Sequence, residues 1–303
     1  MESCTGLAKH QTESLIPMID LHTHSRASDG TDTPAELAVK AVSAGVSVVA
    51  LTDHDTVSGV AEFLSAAEKL PLTAVPGIEL SSMLYTKEVH ITGLLIDHTE
   101  PHLLAAAEQL RVWRTERNLQ IVEKLRQKGY DITCEELLAE AGGESIGRPH
   151  IASLLVRKGY FQDIQEVFRR LIGRGMSCYL AKKFLPPDEC IRLIHGAGGL
   201  AFWAHPLHAQ HGAKSLLRKL GCRLLNEGLD GLEAYYPSFS EEQTAETLAF
   251  CTKYQLLVSG GSDYHGMIHA NTELGIGTGT LNIPESLYET IHQTWLKRHE
   301  KTL

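Results

Sequence analysis

Two imidazoles two residues apart, His22 and His24 in Asp20-Leu21-His22-Thr23-His24, close the short apolar run Ile16-Pro17-Met18-Ile19. Side chains on a strand alternate with period two, so both rings point the same way. Two neutral imidazoles aimed at one point form a metal-binding pair. With 16 histidines in 303 residues, one His-x-His can arise by chance. The pattern recurs, however, because Thr52-Asp53-His54-Asp55, Gly77-Ile78-Glu79, Ala204-His205-Pro206 and Ser262-Asp263-Tyr264-His265 each follow an apolar run. With Asp29 and His90 the set becomes His22, His24, Asp29, His54, Glu79, His90, His205, Asp263 and His265, six imidazoles and three carboxylates. That is more than one tetrahedral zinc site uses, and it suits two or three divalent ions with Glu79 as a bridge. Mixed nitrogen and oxygen donors fit manganese, zinc or iron better than magnesium or calcium.

Ions a few ångströms apart suit phosphoryl transfer, since they neutralise charge on the attacking and leaving sides and lower the pKa of a water. The same donors also serve amide hydrolysis. His205 and His265 are the candidate catalytic residues, each able to act as ligand or as proton donor. Neither a Gly-x-Ser-x-Gly elbow nor a P-loop is present, which disfavours a serine hydrolase and an NTPase. Gly260-Gly261-Ser262-Asp263 reads as a tight turn presenting Asp263.

The elements that must hold these groups follow from the apolar pattern. Strands are expected over 17–22, 46–51, 72–78, 89–96, 200–204, 231–235 and 256–259. Between them lie helix signals, such as the capping box Thr33-Pro34-Ala35-Glu36 and the starts at Ser58, Pro187 and Ser240. Alternation at this spacing implies parallel strands, whose carboxyl ends carry the active site. His90 fits that rule less well, since it stands near the start of its run. From about 101 to 183 only helical periodicity appears, and this segment is expected to be an inserted helical subdomain. Residues 17–100 and 184–303 then form the barrel, and residues 1–16 a loose tail.

Apolar content of 43% and charged content of 21% are ordinary for a globular protein. The six cysteines, from Cys4 to Cys251, form no C-x-x-C pair and read as free thiols of a reducing compartment. No apolar run reaches the roughly 18 residues of a membrane span, and no signal-peptide pattern opens the chain. The cytoplasm is the expected location, with no membrane association and no stable protein partner. The net charge of −9 is uneven, because residues 101–186 carry 14 Lys/Arg against 10 Asp/Glu. A positive segment beside a metal site suits an anionic substrate.

Taken together and in this order, the motifs at His22-Thr-His24, Thr-Asp-His54-Asp, Gly-Ile-Glu79, Val-His90, Ala-His205-Pro and Ser-Asp263-Tyr-His265 resemble those of the PHP (polymerase and histidinol phosphatase) family of metal-dependent phosphoesterases. The resemblance spans about residues 17–268 and implies an α/β fold, a distorted (β/α)7 barrel with a trinuclear centre of manganese, zinc or iron. It is nearest to the branch with a helical insert, which includes 3′,5′-nucleotide bisphosphate phosphatases and 5′-end RNA nucleases. It therefore implies hydrolysis of a phosphomonoester on a nucleotide or an oligonucleotide end. Gly147-Arg148-Pro149-His150 is similar to that branch's phosphate grip, and Pro149 can start a helix whose positive end bears Arg148. Arg148 and His150 are thus the candidate substrate-binding residues, with Lys182 and Lys183 as weaker ones. Ser28-Asp29-Gly30 departs from the histidinol phosphatases, and Tyr236 stands where many relatives carry a histidine. Alternatives are a phosphatase for another metabolite, such as a sugar phosphate or histidinol phosphate, and a non-catalytic metal-binding module.

Overall fold

The computed structural model describes residues 18–141, 147–208 and 213–300, so the tail expected over 1–16 lies outside the described residues. Seven strands form one sheet: β1 (Met18–Thr23), β2 (Val46–Leu51), β3 (Thr73–Leu84), β4 (Lys87–Leu94), β5 (Leu200–Trp203), β6 (Gly231–Tyr235) and β7 (Leu257–Gly260), neighbours in chain order. A parallel bridge between Thr23 and Tyr264, with His24 N–H donating to the Tyr264 carbonyl at 2.8 Å, joins the last strand's end back to β1. The sheet thereby curls into a distorted α/β barrel.

The barrel's helices begin where the caps direct. Helix α1 (Pro34–Ser43) has the reciprocal Thr33–Glu36 capping box and proline in its first turn. Helix α2 is Val60–Ala67. Between β4 and β5 the chain is helical: α3 (Pro101–Gln127), α4 (Cys134–Ala141), α5 (Arg148–Arg157) and α6 (Ile164–Val167), the last continued by a π-helical turn over Phe168–Ile172. These helices share a buried cluster of their own, including Ile121, Leu125, Ile151, Leu155 and Ile172. The remaining helices are α7 (Pro187–Gly196), α8 (Ala213–Asn226), α9 (Glu241–Tyr254) and α10 (Ser286–Glu300). Helices α1, α2, α7 and α8 pack their apolar sides on the sheet, in a cluster with Leu37, Phe63, Ile194 and Leu220.

The expectation of parallel strands throughout fails at β4, which is antiparallel to both β3 and β5. Only Tyr85 and Thr86 separate β3 from β4, too few for a crossover helix, and Tyr85 takes a positive φ of 56° to close the hairpin. Because β4 runs backwards, its beginning lies at the carboxyl end of its neighbours. His90, opposite Ser81 in the register, is carried to the same mouth as the other candidates. The sequence pattern could not reveal this, since periodicity marks a strand but not its direction.

Candidate metal centre

The nine candidate ligands gather in overlapping groups, and fully buried Glu79 meets five of them, His22, His24, His54, His90 and His205. Glu79 Oε2 lies 3.4 Å from His22 Nε2 and 3.5 Å from His24 Nε2, while Asp263 Oδ1 lies 3.5 Å and 3.1 Å from the same two nitrogens. The two imidazole nitrogens are 3.1 Å apart. Four donors at 2.0–2.2 Å around one tetrahedral ion would be separated by about 3.3–3.6 Å, so this quartet has the spacing of a ligand cage. Around the other side of Glu79, His54 Nδ1 approaches Oε2 at 2.7 Å, and His90 Nδ1 and His205 Nε2 both approach Oε1 at 2.9 Å. Asp29 completes a third group, 3.4 Å from His265 Nε2 and 3.9 Å from His54 Nε2.

The donors fit cations. His24 Nδ1, His54 Nδ1 and Glu79 Oε2 are buried without an aligned hydrogen bond, the last two close but not in bonding geometry, an arrangement that is costly unless something else meets their lone pairs. Burial alone would raise the carboxyls of Glu79, Asp29 and Asp263, yet the surrounding imidazoles outweigh it and hold all three well below the ordinary range. Conversely, burial opposes charge on His90, but Glu79 and Glu88 lift it to about 10. The carboxylates draw positive charge toward His22, His90 and His265, while burial and the neighbouring His265 and His54 push His24 down to about 3 and keep it neutral, so divalent cations enter in competition with protons.

The backbone is bent to present these groups. His205, Asp263 and Asp55 have φ values of 32°, 55° and 56°, which non-glycine residues adopt at a cost. Gly261 sits so close to β1 that a Cβ there would lie 2.2 Å from the His22 Cβ, which explains the glycine and supports the turn reading of Gly260-Gly261-Ser262-Asp263. Asp53 accepts from Ser25 N, Ser25 Oγ and Ser28 Oγ at 2.5–2.7 Å, tying down the loop that carries Asp29. His265 Nδ1 faces the Asp263 carbonyl at 2.8 Å; as the donor there, it leaves the Nε2 lone pair for a cation near Asp29.

Several contributors escaped the sequence reading. Buried Glu233 holds His22 Nδ1 at 3.0 Å and accepts the His205 backbone N–H at 2.6 Å, fixing the first imidazole's tautomer and ring. Its signal was visible, since it stands within the apolar run of β6 as Glu79 stands within β3. Tyr236, standing where a histidine was expected, donates its hydroxyl to Asp263 Oδ2 at 2.7 Å. Asp55 takes Ser81 N–H at 2.7 Å and binds Arg114 and Lys182, joining the mouth to the helical segment at both its ends.

A cavity of about 200 Å³ opens between the ligands Asp29, His54 and His90 and the helical segment, where Arg114, Arg117, Arg148 and Lys182 line it. Arg148 is thus placed beside the metal centre, stacked on Phe168 and Tyr179 with its guanidinium 5.4 Å and 5.7 Å from their ring centres. His150 is occupied differently, because its Nδ1 accepts the Gly147 N–H at 2.9 Å and caps α5. Lys182 reaches Asp55 and Ser81, whereas Lys183 stands outside over Trp113 and near Glu116.

Comparison with known proteins places this geometry. The family model described as PHP domain matches residues 20–195. The chain is 34% identical over 246 residues to a 5′-3′ exoribonuclease of Haemophilus influenzae, covering 81% of this chain and 89% of that one. It is 33% identical over 258 residues to a 3′,5′-nucleoside bisphosphate phosphatase of Chromobacterium violaceum, covering 85% and 90%. A crystal structure of a proposed metal-dependent phosphoesterase from Bifidobacterium adolescentis superposes with a TM-score of 0.80 at 29% identity, over 91% of this chain and 96% of that one. With a family match over more than half its length and a complete set of converging imidazoles and carboxylates, the chain belongs to the PHP family and is a metal-dependent phosphoesterase.

Proposed function

We propose that the protein hydrolyses the phosphate ester of a nucleotide 3′,5′-bisphosphate or of a 5′-phosphorylated RNA end, in line with relatives named 3′,5′-nucleoside bisphosphate phosphatase and 5′-3′ exoribonuclease. The observation that carries this reading is the pair Arg117 and Arg148. Both line the cavity beside the ligand cluster, and neither forms an ion pair among the described residues. Burial and the nearby Arg148 push Arg117 down to about 10, and burial lowers Arg148 as well. Two half-buried guanidiniums with other arginines close by, Arg148 beside Arg117 and Arg114 beside Arg148, call for an anion in the cavity they line, and a planar fork matches phosphate. Arg114 and Lys182 are already compensated by Asp55, so they shape the cavity more than they bind.

Two or three divalent ions of manganese, zinc or iron would be held by the nine ligands with Glu79 shared among them. When bound, such ions supply charge neutralisation and a nucleophile at neutral pH. The chain's own residues do the rest. Glu233 and the Asp263 carbonyl keep His22 and His265 oriented as ligands, and Arg117 with Arg148 holds the phosphate that is not cleaved. His205 lines a second cavity and stands at the edge of the cluster, where it retains both roles, ligand and proton donor to the departing oxygen. The helical segment 101–183 acts as the substrate-gripping subdomain of the barrel. We place the enzyme in the cytoplasm, where nucleotide and RNA substrates occur; no described helix is long and apolar enough to cross a membrane.

A phosphate-release screen with Mn²⁺ tests the reading. Nucleoside 3′,5′-bisphosphate and short 5′-phosphorylated RNA should exceed histidinol phosphate and sugar phosphates in kcat/KM. Preference for a sugar phosphate would overturn it in favour of a metabolite phosphatase. Losing one charge-assisted contact costs about 1.5–3 kcal/mol, so Arg148→Ala should lower kcat/KM on the preferred substrate roughly 10- to 150-fold. Metal content and melting temperature should stay near the parent's. If activity remains within about twofold on every substrate, Arg148 serves only the start of α5 and the site contracts to the nine ligands.

A further inference from the structure

Every strand but one delivers candidate ligands to the mouth of the barrel: His22 and His24 with β1, His54 after β2, Glu79 in β3, His90 in β4, His205 after β5, and Asp263 with His265 after β7. Strand β6 delivers none. Its Glu233 orients His22 instead, and Tyr236, the first residue beyond it, donates its hydroxyl to Asp263 Oδ2 at 2.7 Å. Tyr236 is buried, and its ring is wedged against His205, His208 and Phe239 at centre distances of 5.4, 5.4 and 5.3 Å. The hydroxyl is therefore a donor fixed in place.

Asp263 has one freedom left for that donor to control. Its backbone N–H donates to the His22 carbonyl at 2.9 Å, which ties the main chain to β1. The turn of a carboxylate about its last side-chain bond is soft, with broad wells. The bond from Tyr236 keeps Oδ2 on the β6 side, so that Oδ1 alone faces the imidazoles, 3.1 Å from His24 Nε2 and 3.5 Å from His22 Nε2. A carboxylate free to turn offers both oxygens, which suits the higher coordination numbers of oxygen-seeking ions such as manganese. One oxygen beside two imidazoles and Glu79 suits four-coordinate zinc.

We propose that Tyr236 is a positioning residue that selects the metal at the group formed by His22, His24 and Asp263, holding Asp263 to ligation through one oxygen and so favouring a four-coordinate ion over a larger, six-coordinate one. The inference rests on the nine-ligand assignment above and adds which residue tunes the ion. It also gives β6 its role. Glu233 fixes the first imidazole of the group, and Tyr236 fixes the carboxylate across from it. Hydrogen-bonding partners of metal ligands are typically worth about 10- to 100-fold in metal affinity.

Metal-stripped parent and Tyr236→Phe, titrated separately with Zn²⁺ and Mn²⁺, test this, with affinity read by equilibrium dialysis and metal per chain by elemental analysis. At one site the variant's zinc affinity should fall about 10- to 100-fold and its manganese affinity by less, so that the preference for zinc over manganese drops at least about fivefold. Phe239→Leu loosens the packing of the Tyr236 ring without removing the hydroxyl, and should keep the parental preference within about twofold. An unchanged preference in Tyr236→Phe, or an equal loss in Phe239→Leu, overturns the selection. A parent that binds neither ion removes the ligand assignment and the proposal with it. A Tyr236→Phe chain that no longer folds without metal also overturns the proposal, because the hydroxyl would then serve the fold and not the ion.

Discussion

Glu79→Gln should lose metal and activity together. Both carboxylate oxygens are committed, with His22, His24 and His54 around Oε2 and His90 and His205 on Oε1, and the side chain is fully buried. Glutamine preserves the shape but removes the charge and turns one acceptor into a donor facing imidazole nitrogens that must keep their lone pairs. Breaking a buried charge interaction by removing one partner costs about 3–5 kcal/mol, which corresponds to two to four orders of magnitude in kcat/KM. Metal per chain by elemental analysis and phosphate release on one sample measure both. Full occupancy with parental activity would remove Glu79 from the bridging role.

The second large effect lies just outside the ligands. Asp55 is 3% exposed and is the meeting point of Arg114 from α3 and Lys182 from the far end of the helical segment, with Ser81 N–H and hydroxyl satisfying the rest of its oxygens. Burial would raise this carboxyl, but Lys182 and Arg114 outweigh it and drive it below the ordinary range. Asp55→Asn leaves two cations facing each other over a neutral amide, and should destabilise the fold by about 3 kcal/mol, or a fall of roughly 5–10 °C in Tm. A depressed folded-state pKa means that Asp55 contributes above its unfolded value near 3.9 and loses that contribution only as pH falls further. The Tm difference between parent and variant should therefore be constant from neutral pH to about pH 4.5 and shrink below that. A variant that melts with the parent at pH 7 would mean that the helical segment is held by its apolar contacts alone.

These two residues mark different degrees of legibility. Glu79 was legible because it follows the apolar run expected as a strand over 72–78, one of several metal-binding residue types in that same position. The same logic exposed His22, His24, His54, His205, Asp263 and His265, and Glu233 comes to light once the interiors of the expected strands are searched for carboxylates as well. The α/β alternation and the cap of α1 were equally local, set by residues within a few positions of each other. Arg148 was legible as a helix start, but its stacking on Phe168 and Tyr179 was not.

Strand direction, and the pairing of groups far apart in sequence, belonged to the tertiary structure. Hydrophobic periodicity is the same for a strand read either way, so only the two-residue turn at Tyr85-Thr86 shows that β4 runs antiparallel and brings His90 to the mouth. Asp55 meets Arg114 across 59 positions, and Glu233 meets His22 across 211. Nothing local distinguishes such residues from solvated charges. Which chemistry the chain can hold was written in the order and types of its residues; which cations of the cavity lack a carboxylate among the described residues, Arg117 and Arg148 but not Arg114 or Lys182, was decided by where folding had already placed Asp55.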